Sequence, residues 1–144
     1  MATKDILEFP PHFPPTDKWK KFFIGIRWLG PDLSFFKTLK ELQARRTAAD
    51  MSQLGGGERQ TLAEKISQIL HEQLDWRSAV FIPQDVAIVA FHGPRFDFSD
   101  PEAAFDDIVE MLERDYSLIP SRSFWESTEH ATFGQLVDGL LALR

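Results

Sequence analysis

The side chains in this sequence that could do chemistry are carboxylates, hydroxyls and four histidines, because the chain has no cysteine. Without cysteine there are no disulfides, thiol nucleophiles or zinc–thiolate sites. The histidines have no mutual spacing typical of a metal site, and they are His12, His71, His92 and His130. Two acid–histidine groups could meet in space: His92 with Asp97, and His130 with Glu126 and Glu129. Acid-rich loops bring such groups together by chance, so we expect a protein that is not an enzyme and holds no metal.

The densest set of carboxylates follows residue 105, where five acids are accompanied by a single base, Arg114. The acids are Asp106, Asp107, Glu110, Glu113 and Asp115. Asp106, Asp107 and Glu110 could bind a hydrated cation weakly, but a solvated negative face is the simpler interpretation. We predict that Asp106, Asp107, Glu110 and Glu113 contact a protein partner with a basic surface, together with Trp125 as an aromatic anchor. For Trp125, a position in the core is the simpler interpretation.

These acids are carried by a predicted helix that runs from about residue 99 to Tyr116. Ser99 is a good N-cap, Pro101 suits the first turn, and Glu102 completes a capping box with Ser99. An apolar stripe follows at helical spacing, formed by Phe105, Ile108, Leu112 and Tyr116. The pattern predicts an amphipathic helix with an apolar back and an acidic front.

Charge is divided unevenly along the 144 residues, whose net charge is −6. Residues 1–46 carry nine lysines and arginines against five acids, whereas the remainder carries seven against 17. The acidic remainder argues against nucleic acid as a partner. No apolar run reaches the roughly 20 residues that span a bilayer, and the first residues lack a secretion signal. We therefore expect a cytoplasmic protein with no transmembrane segment.

Residues 1–49 are predicted to form a basic arm with two helices, a helical hairpin. A proline-rich start precedes an amphipathic segment, residues 17–29, whose apolar face holds Trp19, Phe22, Phe23 and Ile26. This face could lie on a membrane surface, but packing on the rest of the chain is the favoured interpretation. A second helix from Leu33 to about Ala48 follows. Residues 50–59, with three consecutive glycines, are predicted to be a linker.

Residues 60–144 are predicted to form an acidic helical domain. Capping boxes at Thr61 and Thr132 mark the starts of its first and last helices. A short helical turn is expected around Phe124. Val86 to Phe91 is a nearly continuous apolar run that fits either a buried strand or a short buried helix, so a short β segment within residues 80–91 stays open. The fold class is mainly α.

The order of these elements resembles an acyl carrier protein, in particular the diverged carrier-like proteins of bacteria. The resemblance rests on TLAEKISQILHEQLDW for the first helix, IVEMLERDYSLIP for the end of the second, and SFWESTEHATFGQLVDGLL for the third and fourth. It implies a four-helix bundle over about residues 60–144. It also implies docking to basic partners through the acidic second helix.

The chain departs from this family where the cofactor would be attached. Carrier proteins hold phosphopantetheine on a serine in an Asp-Ser-Leu motif, and the resemblance places Glu102 at that position. Glutamate cannot form the phosphodiester. The nearest hydroxyl is that of Ser99, within Phe-Ser-Asp-Pro. We therefore expect no phosphopantetheine and no other cofactor.

Three functions follow from these patterns. The favoured one is a non-enzymatic, carrier-like interaction protein that docks a basic partner without a phosphopantetheine arm. One alternative is a genuine acyl or peptidyl carrier modified on Ser99. The other is a peripheral membrane or toxin-antagonist protein of the immunity type, acting through residues 17–29.

Overall fold

The computed structural model of the chain describes residues 6–7, 39–92, 101–128 and 130–143. Helices make up most of this part, which confirms the mainly α class. In chain order they are α1 (residues 39–44), α2 (Ala48–Met51, continued by a 3-10 turn, Ser52–Leu54), α3 (Gly57–Gln73), α4 (Ala87–His92), α5 (Pro101–Tyr116), α6 (Arg122–Ser127) and α7 (Phe133–Ala142). None of the described helices is long and apolar enough to cross a bilayer.

The apolar run after Pro83 is helical, so the alternative of a short β segment within residues 80–91 was wrong. No residue of 80–92 lies in a strand. Val86 makes only an isolated antiparallel bridge with Thr132, and its backbone N–H donates to the Leu7 carbonyl at 2.8 Å. The chain then turns into α4, where the Ala90 N–H donates to the Val86 carbonyl. The run therefore has long-range backbone partners only at its start, and from Val89 onward its N–H groups donate within the helix.

Helix α3 begins earlier than its sequence indicates. The predicted N-cap, Thr61, lies inside the helix and donates its hydroxyl to the Gly57 carbonyl at 3.1 Å. The chain enters α3 through Gly55, Gly56 and Gly57, all with positive φ (87°, 77° and 61°). Glycine adopts this left-handed backbone without steric cost. Gly55 and Gly56 therefore form a turn before the helix, and Gly57 is its first residue.

The last helix follows its prediction closely. The Thr132 hydroxyl accepts from the Gln135 N–H at 3.2 Å, and the Gln135 side chain accepts in return from the Thr132 N–H. The two other free N–H groups of the first turn, on Phe133 and Gly134, donate to the carbonyls of Asp85 and Pro83. The start of α7 is thus fully bonded to its own cap and to the 83–85 turn.

The core lies where α3 packs against α5 and α7. Its largest fully buried side chains are Trp76, Phe81, Phe133, Leu7, Leu54, Leu62, Ile66, Leu70, Leu74, Ile108, Leu112 and Leu136. Leu39, Leu42 and Met51, from the predicted arm and its junction, belong to the same buried cluster. Each large side chain buried in this way contributes about 1.5–3 kcal/mol. The division of the chain into arm, linker and domain stays a prediction.

Polar contacts also join α1 and the residues after it to residues 78–85. Gln43 is fully buried, and its amide donates to the carbonyls of Ser78 (2.6 Å) and Val80 (3.1 Å). Three residues later, the Arg46 guanidinium binds both carboxylate oxygens of Asp85, at 2.5 and 2.7 Å. We call the Asp85 carboxylate, together with the groups that bind it, the Asp85 clasp.

The Asp85 clasp gathers four segments of chain. Besides Arg46, the carboxylate accepts from the backbone N–H groups of Leu7 and Ile82, both at 3.0 Å. The Asp85 carbonyl accepts from the Phe133 N–H. No sequence pattern indicated this role for Asp85. The predicted amphipathic segment, residues 17–29, lies outside the described residues.

Candidate docking surface on helix α5

Helix α5 lies with one face in the core. Ala104, Ile108, Met111 and Leu112 are buried along it, whereas Phe105 and Tyr116 at the edges of the predicted stripe are half-buried. The inward face is therefore rotated slightly from the predicted one. Because this face is fixed by the core, the outward side chains of α5 are held on a rigid support.

Three acids form a continuous exposed row on α5. Asp106, Glu110 and Glu113 are all exposed, and their spacing of four and three residues places them on one side of the helix. None of the three carboxylates accepts a hydrogen bond from another described residue or lies within ion-pair distance of one. We call them the acidic stripe. All three side chains are exposed to solvent, and within the described fold Asp115 and then the Glu110 charge raise the pKa of Arg114, four residues after Glu110.

The other two acids of the predicted front have partners within the fold. Asp107 is half-buried and accepts from the Gln73 amide on α3 at 2.6 Å. Asp115 accepts from Arg114 at 3.0 Å and from Lys65 at 3.1 Å, and these hydrogen bonds, first that of Arg114, hold its pKa below the ordinary range. The Lys65 ammonium also lies 5.1 Å from the centre of the Tyr116 ring. These acids tie α5 to α3.

Beside the acidic stripe, the helices form an apolar cavity of about 670 Å³ that opens to solvent. Its lining comes from α4, α5, α6 and α7 and from the residue after α6: Ala87, Phe91, Phe105, Val109, Arg122, Trp125, Glu126, Thr128 and Leu136. Arg122 and Glu126 form a largely exposed ion pair at 2.9 Å. We call this space the α5–α6 cavity. Its size is in the range of pockets that take ligands or side chains, roughly 300–1,000 Å³.

Trp125, the predicted anchor, is half-buried in the wall of this cavity. Its ring stands edge-on to Phe105, with centroids 4.8 Å apart, and contacts Phe124 at 5.3 Å. The N-cap Ser121, which accepts from the Phe124 N–H, starts the short helix that carries it. Trp125 is thus a wall residue beside the acidic stripe, and its contact with a partner stays a prediction.

The histidines, the acids predicted beside them and Ser99 do not form a site within the described residues. His71 Nδ1 is 2.6 Å from the Trp76 carbonyl and fixes the end of α3, and His130 is exposed. Within the described ranges, no group of three or more histidines and acids could hold a metal ion. Ser99, Asp97 and Glu129 lie outside the described residues, so the structure does not test attachment at Ser99.

The α5–α6 cavity was not predicted from the sequence. Four helices contribute to its wall, and no single stretch carries its pattern. The available signal was Phe105 and Val109, which are four residues apart and lie one position before Asp106 and Glu110.

No protein-family model, curated protein or solved structure matches the chain. The resemblance to acyl carrier proteins therefore stays a proposal that rests on its own residues.

Proposed function

We propose that this chain is a non-enzymatic, carrier-like interaction protein that docks a basic protein surface through α5. The observation that supports this function best is the acidic stripe, whose three carboxylates are exposed and have no ion-pair partner among the described residues. Like charges four residues apart destabilise a helix mildly. The three acids are then accounted for if their charge attracts a partner molecule.

Electrostatics gives this surface a defined effect. A row of like charges on a rigid helix steers an oppositely charged partner during diffusional encounter and raises the association rate more than the final affinity. Asp107 and Asp115 add negative charge nearby but are bonded to α3. We therefore assign steering to Asp106, Glu110 and Glu113.

The proposal includes no phosphopantetheine arm. The resemblance places Glu102 where carrier proteins have the modified serine, and its carboxylate cannot be phosphopantetheinylated. Docking through an acidic second helix needs no arm, so the surface can act in its absence.

The test uses two variants of the full chain with the same change in net charge. The stripe variant carries Asp106→Asn, Glu110→Gln and Glu113→Gln. The control variant carries Glu41→Gln, Glu64→Gln and Glu72→Gln, three exposed acids that do not belong to α5. A partner is captured from a lysate at low salt, identified and purified, and its association rate with each protein is measured at several salt concentrations.

We expect the stripe variant to associate about tenfold more slowly at low salt, with the difference shrinking above about 0.15 M salt as charges are screened. The control variant should associate like the wild type, and both should melt at or slightly above the wild-type temperature. Equal rates and equal salt dependence for all three proteins would overturn the proposal. A mass gain of one phosphopantetheine on Ser99, after incubation with coenzyme A and a transferase, would show a genuine carrier instead.

A further inference from the structure

The α5–α6 cavity and the acidic stripe are neighbours on one helix. Phe105 and Val109 line the cavity, and Asp106 and Glu110 follow them by one residue each. Successive residues of a helix are about 100° apart. The apolar opening and the row of negative charge therefore run side by side along α5, so that one extended ligand can contact both.

The chemistry of the cavity wall selects for apolar groups. Three aromatic rings (Phe91, Phe105 and Trp125) and aliphatic side chains form most of it. The charged pair of Arg122 and Glu126 is satisfied internally, and the Arg122 side chain is 93% exposed, at the rim. At about 670 Å³, the space exceeds what one side chain fills. It is large enough for two or more anchors.

We propose that the α5–α6 cavity receives apolar anchor side chains of a partner's basic amphipathic helix, whose lysines or arginines lie along the acidic stripe. This inference rests on the proposed function and names the kind of segment that is docked. A helix with anchors at i, i+3 or i+4 and i+7 is the usual occupant of an apolar groove between helices. The occupant is expected to be basic because its charge must complement that of α5. Asp106 and Glu110 border the opening and have no ion-pair partner among the described residues, so lysines or arginines on the occupant can contact them directly.

The probe is a synthetic peptide of about 14 leucines and lysines, with the leucines at the helical spacing of such an occupant. Binding to the full chain is followed by the anisotropy of a dye on the peptide. Two control peptides keep part of its chemistry. One replaces the leucines by alanines and keeps the charge, and the other replaces the lysines by glutamates and keeps the leucines.

Two protein variants separate the cavity from the stripe. Val109→Gln puts a polar group into the wall at a half-buried position, and its melting curve shows whether it is folded. The stripe variant removes the charges and keeps the wall.

We expect Val109→Gln and the alanine peptide each to weaken binding about tenfold, with the salt dependence of Val109→Gln unchanged. The stripe variant should weaken binding about tenfold at low salt only, and the glutamate peptide should not bind. If Val109→Gln destabilises the fold, the alanine peptide on the wild type decides the same question.

The outcomes that overturn the inference differ from those that overturn the proposed function. If the alanine peptide and Val109→Gln bind like the originals while the stripe variant binds weakly, the cavity is not used and the proposed function stands. If the stripe variant binds like the wild type, a basic occupant is excluded and the proposed function fails with it.

Discussion

Arg46 and Asp85 form a two-pronged ion pair in the interior, with Nη1–Oδ2 and Nη2–Oδ1 distances of 2.5 and 2.7 Å. The Asp85 side chain is fully buried and that of Arg46 is 5% exposed. Charges removed from water to this degree are tolerated only when they are paired and their remaining hydrogen bonds are made. The N–H groups of Leu7 and Ile82 complete that requirement.

Replacing Asp85 should therefore cost much of the stability. Asp85→Asn keeps the shape but removes the negative charge that binds the buried Arg46 guanidinium, and we expect a loss of about 3–5 kcal/mol in the free energy of unfolding. The matched control is Asp75→Asn, which breaks the exposed pair with Lys40 and should cost under about 1 kcal/mol. Urea denaturation of both variants measures the difference. Equal losses would show that burial does not set the value of the Arg46–Asp85 pair.

The sequence predicted local features well and long-range polar contacts poorly. The cap and apolar face of α7 and the amphipathic character of α5 are encoded within one or two turns, so spacing alone reveals them. Arg46 and Asp85 are 39 residues apart, and no periodicity relates them. The start of α3 was misplaced because Gly57 is a poor helix former, and here turn geometry overrides that preference. The candidate site was predicted as an acidic face but not as a face with a cavity beside it.

Gly134 is required where α7 meets Pro83. A Cβ added at Gly134 would lie 2.8 Å from the Pro83 Cβ and 3.2 Å from its Cα, and a proline ring cannot rotate away. Gly134→Ala should destabilise by about 1–3 kcal/mol. Gly139→Ala is the control in the same helix, since its Cβ would meet only the Phe124 ring at 3.2 Å. That ring can shift, and alanine gains about 1 kcal/mol of helix propensity. Thermal melting should order the proteins Gly139→Ala, wild type, Gly134→Ala, from high to low, and the reverse order would contradict the packing described.

Ser67 is a weak point in the core of α3. Its side chain is fully buried, and its hydroxyl has no hydrogen-bond partner among the described residues. Burying an unbonded hydroxyl costs about 1–3 kcal/mol, and alanine is also the better helix former. Ser67→Ala should therefore raise the free energy of unfolding by about 1 kcal/mol or more. Thr61→Ala, which removes an exposed and bonded hydroxyl from the same helix, should change it little. A destabilised Ser67→Ala protein would mean that the hydroxyl is bonded after all.

The pKa of Asp115 should respond to its two cations in a defined order. Hydrogen bonds from Arg114 and then Lys65 lower it below its ordinary value of 3.8. A carboxyl whose pKa is lowered by folding adds stability above its unfolded pKa, and this contribution is lost as pH falls through the lower, folded pKa. Carboxyl titration by NMR should give a pKa that rises towards 3.8 in Arg114→Gln and rises less in Lys65→Gln. An unchanged pKa in both variants would show that these hydrogen bonds do not persist in solution.

Removing residues 1–48 should weaken the whole protein. The deletion takes away Leu39 and Leu42, which are buried in the common core, and it leaves Asp85 without Arg46. We expect residues 49–144 to melt at a clearly lower temperature or to aggregate, by calorimetry and light scattering. A melting curve like that of the full chain would show that the first 48 residues are energetically independent, and would favour the membrane or partner role for residues 17–29.

The bonds of Asp85 also bear on the rates at which the protein folds and unfolds. Arg46 and Leu7 lie 39 and 78 residues away from it along the chain. Loops of this length must close, at an entropic cost, before such contacts can form. We therefore expect them to form after the transition state, so that Asp85→Asn accelerates unfolding while the folding rate stays nearly unchanged. The lifetime of the native state, more than the speed of reaching it, would then depend on this one carboxylate.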